Sequence, residues 1–262
     1  MVQNRMVVQS RFTRKAFIEA MGGAAFAAIS GSRARARPSP PGPGIRLSAR
    51  PGKPRLSIEN GLHPLGMSST QRDALLYVPT SLDRRKPAPL LIALHGATQA
   101  GQLMADRLAG LSDTVGCALL APDSRGMTWD AIRGDFGDDP AFIDRALAWT
   151  FDRVAIDPAR VWLSGFSDGA SYGISLGLAN GDFMSRVLAF SPGFVIPAEH
   201  RGRPRIFVSH GRQDQILPIE QTSRRIVPEL KAQGYDVRFA EFDGGHRMPP
   251  EILAAAAEWL TK

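Results

Sequence analysis

The amino-acid sequence predicts an α/β fold of three layers, in which a mostly parallel central sheet carries helices on both faces. Short apolar runs alternate along the chain with longer amphipathic runs of helical spacing. Several of the apolar runs are almost continuous, as strands covered by helices on both faces should be. The chain has 262 residues, which is long enough to bury one substantial core. Alternation of this kind implies parallel strands joined by right-handed crossovers.

Seven apolar runs are predicted to be strands. They are ALLYVP (74–79), PLLIALHG (89–96), CALLAPD (117–123), RVWLSG (160–165), RVLAFSPG (186–193), RIFVSHG (205–211) and DVRFAEFDGG (236–245). Four segments between and after them are predicted to be helices: 141–154, the segment that follows Ser167, 219–234 and 249–262. In the first helix the apolar residues Phe142, Ala146 and Trp149 recur at helical spacing, and Gly234 closes the third.

The positive charge of the chain is concentrated near its N-terminus. Residues 1–54 contain ten Lys and Arg against a single acid, Glu19, so the remaining 208 residues carry a net charge of −2 within the overall +7. No later basic stripe with interspersed aromatic residues is present, and nucleic-acid binding is therefore not predicted.

Residues 1–36 are predicted to be an export signal. TRKAFIEAMGGAAFAAIS (13–30) places a basic pair before a modestly apolar run, and Ala34-Arg35-Ala36 offers a small-residue cleavage site. The run is too short and too weakly apolar for a stable membrane span. TRKAFIE resembles the twin-arginine export motif, with lysine at the second arginine. This predicts a periplasmic or secreted protein, or a cytoplasmic one if the leader is only a basic tail.

The remaining chain divides by composition. Residues 37–54 begin with the Pro/Gly-rich stretch RPSPPGPG and are predicted to be a linker. Residues 55–262 are predicted to form the folded domain. The sequence indicates no oligomeric state.

Polar residues gather in the loops that follow the predicted strands. The segments are HGATQ (95–99), PDSRGMTWD (122–130), GFSDG (165–169), SHGRQD (209–214) and GGH (244–246). Because the carboxyl ends of parallel strands meet at one edge of a sheet, and ligands bind at that edge, these loops are expected to form one site.

Ser167 lies between Gly165 and Gly169, directly after an apolar strand and before a helix rich in small residues. A serine hydroxyl becomes an effective nucleophile only beside a base. To stand above the sheet it also needs a sharp turn, which leaves no room for side chains two residues away. The spacing is that of the G-x-S-x-G nucleophile elbow, so Ser167 is predicted to be a nucleophile.

His246 is the predicted base, because it lies in a glycine-rich loop after the last strand, from which it can reach the serine. His63 and His200 lie in loop sequence with no other chemically active residues nearby. His95 and His210 both precede a glycine at a strand end and are expected to brace loops by hydrogen bonding.

Asp214 is the predicted acid, since it follows the penultimate strand and precedes a helix. Its task would be to orient the imidazole of His246 and to stabilise the imidazolium. Asp243, three residues before His246, is the alternative acid, although its closeness in sequence makes the required geometry awkward.

Two backbone N–H groups are expected to bind a developing oxyanion. One belongs to Asp168, the residue after the serine, and the other to Ala97 in the loop after an early strand. The acidic side chain of Asp168 is expected to face away, because its charge would oppose the oxyanion.

The segments LIALHGATQ, GFSDGAS, HGRQDQILPI and GGH, in this order, resemble the serine carboxylesterase, phospholipase and thioesterase family of the α/β-hydrolases. The resemblance covers roughly residues 72–262. It implies the α/β-hydrolase fold and hydrolysis of a small-molecule carboxylic ester by Ser167, Asp214 and His246 through an acyl-enzyme. It implies neither a metal nor an organic cofactor.

Two further loops resemble segments of that family. MTWDAI (127–132) resembles a tryptophan-bearing substrate loop, and SPGF (191–194) resembles the loop after the sixth strand, so Trp129 and Phe194 are candidate pocket residues, with ordinary packing aromatics as the alternative.

The substrate class stays open at this level. Secreted polyester depolymerases and feruloyl-type esterases share the same segments, and GDDPAFIDRALAW (137–149) resembles theirs. No long insertion that could serve as a lid precedes Asp214, which favours an open pocket and small soluble esters.

A peptidase would need a subsite for an amine leaving group, which the sequence does not show. A non-catalytic binding module of this fold generally lacks one of the three triad residues, and all three are present here.

Overall fold

The computed structural model describes residues 45–68 and 72–262, which build an eight-stranded sheet. Its strands are β1 (Gly61–Pro64), β2 (Ala74–Val78), β3 (Ala88–Leu94), β4 (Ala118–Pro122), β5 (Ile156–Phe166), β6 (Arg186–Phe190), β7 (Arg205–Gly211) and β8 (Val237–Phe242). They lie in the order β1-β2-β4-β3-β5-β6-β7-β8. β2 is antiparallel to β1 and to β4, and all other neighbours are parallel. The predicted mostly parallel sheet is confirmed.

Helices cover both faces of this sheet. Those of the described chain are α1 (Gly101–Val115), α2 (Asp138–Phe151), α3 (Asp168–Ala179), α4 (Ser223–Ala232) and α5 (Pro250–Thr261). Apolar residues of α1 and α5 form one cluster with Leu91 and Ala93 of β3. Leu90 and Ile92 of the same strand pack in a cluster with α2 and α3 on the opposite face. Every residue of β3 is buried, which explains its continuous apolar sequence.

Two elements were not predicted. β1 is a four-residue edge strand in which every second residue is exposed, and it ends at a proline, so its sequence carries little strand signal. Helix α1 does carry a signal, because its buried residues Met104, Leu108 and Leu111 recur at helical spacing, although it is not among the four helices predicted above.

Helix α4 begins later than its sequence pattern predicts. The pattern starts at residue 219, whereas residues 219–221 form a separate 3₁₀ turn and the α-helix starts at Ser223. Thr222 between them has φ −125° and ψ −101°, which are not helical angles.

Part of the segment predicted as a linker is packed against the domain. The side chain of Leu47 is only 2% exposed and belongs to the core cluster around α2 and α3. Its N–H donates to Oδ1 of the buried Asn180 at 2.9 Å, and Nδ2 of Asn180 donates to the carbonyl of Ile45 at 3.0 Å. Residues 45 and 47 thus contact the core on the N-terminal side of the predicted boundary at residue 55, which stays a prediction.

The predicted export signal and the first part of the predicted linker, residues 37–44, lie outside the described residues. Within the described ranges, no helix is both long enough and apolar enough to cross a membrane.

Replacing Asn180 with alanine is expected to destabilise the domain by about 2 kcal/mol, since buried backbone groups of residues 45–47 then lose their partners. Urea unfolding measures the change. Asp182→Asn is the matched control, because it removes only the half-exposed ion pair with Arg46 and should cost under about 1 kcal/mol. Unfolding midpoints of both variants equal to that of the wild type would show that these contacts of the N-terminal segment add nothing to stability.

Candidate active site

Ser167 occupies a strained turn between β5 and α3. Its backbone has φ 56° and ψ −118°, in a region that non-glycine residues rarely adopt. A Cβ on Gly165 would lie 2.0 Å from the carbonyl oxygen of Gly169, and a Cβ on Gly169 would lie 2.3 Å from that of Leu94. Both neighbours must therefore be glycine for the strand to turn this sharply into the helix.

His246 and Asp214 are hydrogen-bonded to each other beside this turn. Nδ1 of His246 lies 2.6 Å from Oδ2 of Asp214. The side chain of Asp214 is fully buried, whereas that of His246 is 14% exposed. The ring of His246 packs 4.7 Å, between centroids, from the ring of Phe166, which directly precedes Ser167. The structure thus brings the three residues of the predicted triad into one region.

The surroundings of Asp214 keep it ionised. Burial acts to raise the pKa of its carboxyl, but hydrogen bonds from His210, from His246 and from the backbone N–H of Leu217 outweigh burial and hold the pKa well below its usual range. An ionised carboxylate on Nδ1 selects the tautomer of His246 whose Nε2 can accept a proton.

The other candidates for acid and base lie elsewhere. Asp243 is 81% exposed and pairs with Arg212 at 2.8 Å. His63 contacts the carbonyl of Glu59, and the hydroxyl of Tyr235 donates to His200.

The two predicted oxyanion donors flank the serine. The loop after β3 contacts it directly, since a Cβ on Gly96 would lie 3.4 Å from Cβ of Ser167. Among the described residues, the N–H of Ala97 in this loop donates to no group. Asp168 is the first residue of α3, and first-turn N–H groups have no partner inside a helix. Both N–H groups are therefore available to an oxyanion.

His95 braces the loop that contains Ala97, as predicted. Its Nε2 accepts from the N–H of Ser124 at 2.9 Å and from the guanidinium of Arg72 at 3.1 Å, while Nδ1–H donates to the carbonyl of Gly96. Burial is the main reason that the pKa of His95 falls to about 4. The ring is neutral at neutral pH, as its accepting Nε2 requires.

Trp129 packs beneath the same loop. Its Nε1–H donates to the carbonyl of His95 at 2.8 Å, and its fully buried ring stacks 5.2 Å from that of Tyr172. The residue of this segment that reaches solvent is Met127, which is 52% exposed. A packing role for Trp129 is thus evident, and its contact with substrate stays a prediction.

Phe194 is half-buried in the loop after β6 and belongs to none of the hydrophobic clusters of the described chain. Its contact with substrate likewise stays a prediction.

The carboxyl of Asp168 is held by Thr128. Oδ2 accepts from the Thr128 hydroxyl at 2.6 Å, while the buried Oδ1 has no hydrogen-bond partner among the described residues. Burial raises the pKa of this carboxyl, against the opposing effects of Thr128, His246 and Arg133. Sequence reasoning missed Thr128 and Arg72, because no local pattern shows that a side chain 40 or 23 residues away in sequence will reach a site residue.

A cavity of about 400 Å³ lies beside this hydrogen bond, lined by residues 125–130, Arg133 and residues 137–139. Thr128 is common to the cavity wall and to the contact with Asp168. In the part of the chain that the structure describes, no group of three or more His, Cys, Asp or Glu side chains could hold a metal ion.

Comparisons with known proteins agree with this fold. A model of the Phospholipase/Carboxylesterase family matches residues 140–262. The probable feruloyl esterase C of Aspergillus oryzae is 25% identical over 78% of this chain and 86% of its own length. The feruloyl esterase C of Emericella nidulans is 27% identical over the same shares. The crystal structure of esterase PE8 superposes with a TM-score of 0.61 at 21% identity, covering 73% of this chain and 99% of that one.

The protein has the α/β-hydrolase fold, with its characteristic serine turn after the central strand β5. The family model that matches its C-terminal part and the names of its curated relatives, which are esterases and thioesterases, support a carboxylic ester hydrolase. The resemblance to the carboxylesterase, phospholipase and thioesterase family, predicted from the sequence segments, is confirmed.

Gly169→Ala is expected to destabilise the protein by about 2 kcal/mol or more, because the new Cβ would collide with the backbone of β3. Gly110→Ala is the matched control, since it adds a methyl group in α1 where nothing lies within 4 Å. It should stabilise by about 0.5–1 kcal/mol through helix propensity. Thermal and urea unfolding measure both, and equal shifts of the same sign would contradict the steric account of the turn.

The buried neutral His95 predicts a specific pH dependence of stability. Its pKa is about 4 in the folded protein against 6.5 for an unperturbed histidine, so the unfolded chain binds more protons between these values. Stability from this group is complete above about pH 6.5 and is lost as the pH falls toward 4, by on the order of 3 kcal/mol.

Urea unfolding across this pH range tests the prediction. His95→Gln should lack this part of the pH dependence, whereas the control His63→Gln should retain it. An unchanged pH dependence in His95→Gln would contradict a neutral His95.

Proposed function

We propose that this protein hydrolyses carboxylic esters with Ser167 as nucleophile, His246 as general base and acid, and Asp214 as the group that orients the imidazole. The observation that carries the proposal is the 2.6 Å hydrogen bond between a buried carboxylate and His246, beside a serine held at positive φ. A structural role rarely requires a serine in this strained conformation, whereas a nucleophile needs it in order to project from the turn toward a substrate.

In the proposed reaction, Oγ of Ser167 attacks the acyl carbon while Nε2 of His246 takes the hydroxyl proton. The tetrahedral intermediate collapses as His246 protonates the leaving alcohol, which departs and leaves an acyl-serine. A water molecule then gives a proton to His246 and attacks the acyl carbon. Release of the carboxylic acid returns the proton to the serine.

The N–H groups of Ala97 and Asp168 would stabilise the oxyanion in both steps. The N-terminus of α3 adds its partial positive charge at the same place. Removing a donor of this kind from other enzymes costs on the order of a hundredfold or more in rate.

Small soluble esters are the proposed substrates. The cavity of about 400 Å³ is of a size to hold one small group, and Thr128 in its wall is hydrogen-bonded to Asp168, the residue after Ser167. Loops 95–100 and 123–130 are joined by the hydrogen bond from Thr98 N–H to the carbonyl of Met127, which favours a preformed pocket.

Ser167→Ala is expected to lower kcat/KM for p-nitrophenyl esters by about a thousandfold or more, because no other hydroxyl can replace the nucleophile. A chain-length series from acetyl to palmitoyl should show the highest kcat/KM for the short members. Asp243→Asn is the matched control, since that exposed carboxylate pairs with Arg212, and it should keep wild-type rates. A wild-type enzyme no faster than Ser167→Ala on every ester would overturn the proposal.

Hydroxycinnamate esters are the second candidate class, favoured by the feruloyl esterases that match 78% of the chain. Methyl butanoate and methyl ferulate share the methanol leaving group, so comparing them isolates recognition of the acyl group. The proposal of small esters expects methyl butanoate to have the higher kcat/KM. A preference of about tenfold or more for methyl ferulate would instead establish an aryl-ester pocket.

A further inference from the structure

Asp214 is also contacted by a second histidine, His210, which takes no part in the reaction described above. Nε2 of His210 lies 3.1 Å from Oδ2 of Asp214, the same oxygen that accepts from Nδ1 of His246. The other oxygen, Oδ1, accepts from the backbone N–H groups of Ile216 and Leu217, both at 2.9 Å. The side chains of His210 and Asp214 are fully buried, so each of these donors acts without competition from water.

The hydrogen bonds of His210 determine which nitrogen carries its proton. Nε2 lies 3.1 Å from Asp214 Oδ2 and 2.7 Å from the carbonyl of Leu217, and both of these atoms can only accept. Nε2 therefore carries a hydrogen and shares it between them. Nδ1 lies 2.7 Å from the hydroxyl of Ser223, at the start of α4, which can donate to it. Ser223 thus holds the ring in the orientation that aims Nε2–H at Asp214.

We propose that His210 is a positioning residue for the triad. Its Nε2–H holds Oδ2 of Asp214 in place and offsets part of the negative charge of that carboxylate, which would otherwise act on His246 alone. The inference rests on the proposed function of Ser167, Asp214 and His246. His210 lies on β7 and Asp214 in the turn that follows it, so the rigid strand transmits a fixed position to the acid.

Two effects follow from the loss of this donor. Asp214 loses one of the donors that fix its carboxylate, so His246 is oriented less well and kcat falls while KM changes little. At the same time, the full charge of Oδ2 acts on His246 and favours its protonated form. The acid limb of the kcat/KM profile then moves to higher pH.

The other charged groups near His246 stay the same in this comparison. Asp168 on α3 interacts electrostatically with His246. The guanidinium of Arg107 on α1 lies over the ring of Phe166, which also contacts the ring of His246. Ser223 on α4 reaches His246 only through His210 and Asp214.

The test uses three variants of the full protein with p-nitrophenyl acetate. His210→Leu removes the donor, His210→Gln places an amide N–H near the position of Nε2, and Ser223→Ala releases the ring. His210→Leu is expected to lower kcat about 10- to 100-fold with KM within about twofold, and to move the acid limb upward by about 0.5–1 pH unit. His210→Gln should recover most of both effects, and Ser223→Ala should show a smaller change of the same sign.

A second readout does not depend on catalysis. The hydrogen shared by His246 and Asp214 should give a low-field proton NMR signal, identified by its loss in His246→Gln. His210→Leu should shift this signal, whereas His200→Gln, a change at an exposed histidine bonded to Tyr235, should not. If His210→Leu does not fold, Ser223→Ala must still shift the signal and the acid limb for the proposal to stand.

The outcomes separate the two proposals. An inactive Ser167→Ala together with wild-type kcat, acid limb and NMR signal in His210→Leu would overturn the role of His210 alone. A fall in activity in His210→Leu that His210→Gln does not recover, with no change in the acid limb or the signal, would show that His210 only supports folding. If Ser167→Ala retains wild-type activity, the proposed function fails. The NMR comparison then decides by itself whether His210 controls the bond between Asp214 and His246.

Discussion

The backbone at Ser167 is the constraint on which the rest of the site depends. A non-glycine residue at φ 56° costs conformational energy and persists only where the surroundings determine it. Here β5 is held between β3 and β6 in the middle of the sheet, and every residue of α3 is buried. The absence of side chains at Gly165 and Gly169 allows the strand and helix to approach closely enough for the turn to form. This packing aims the serine away from the sheet and places beside it the N–H group of Asp168, which as the first residue of α3 has no partner inside the helix.

The loop that faces the serine is held in place by buried hydrogen bonds. It carries the buried polar groups of His95, and these have partners: Ser124 and Arg72 donate to its ring, and Trp129 donates to its carbonyl. A buried network of this kind stabilises only when it is fully paired. The neutral state of His95 is part of that pairing, since a proton on Nε2 would oppose two donors.

Two buried carboxylates near the site behave in opposite ways because they differ in the number of their donors. Asp214 receives four N–H groups and has a depressed pKa. Among the described residues, only the hydroxyl of Thr128 donates to the carboxyl of Asp168, and burial raises its pKa. The protein thus favours the ionised carboxylate of Asp214 beside His246. It disfavours the ionised carboxylate of Asp168, next to the N–H group that would bind an oxyanion. This difference suits the proposed reaction, in which negative charge develops on an oxyanion next to the N–H group of Asp168.

The sequence by itself determined the layered α/β fold, seven of the strands, the glycine-flanked serine turn and the order of Ser167, Asp214 and His246. These features follow from periodicity and from the spacing of small residues, which are local properties of the chain. Only the tertiary structure decided that Leu47 joins the core, that Trp129 is buried under the loop of Ala97, and that Thr128 and His210 hold the two carboxylates. Those contacts depend on the order of strands and on side-chain directions across loops. The separation of two such residues along the sequence does not reveal whether they lie close together in the fold.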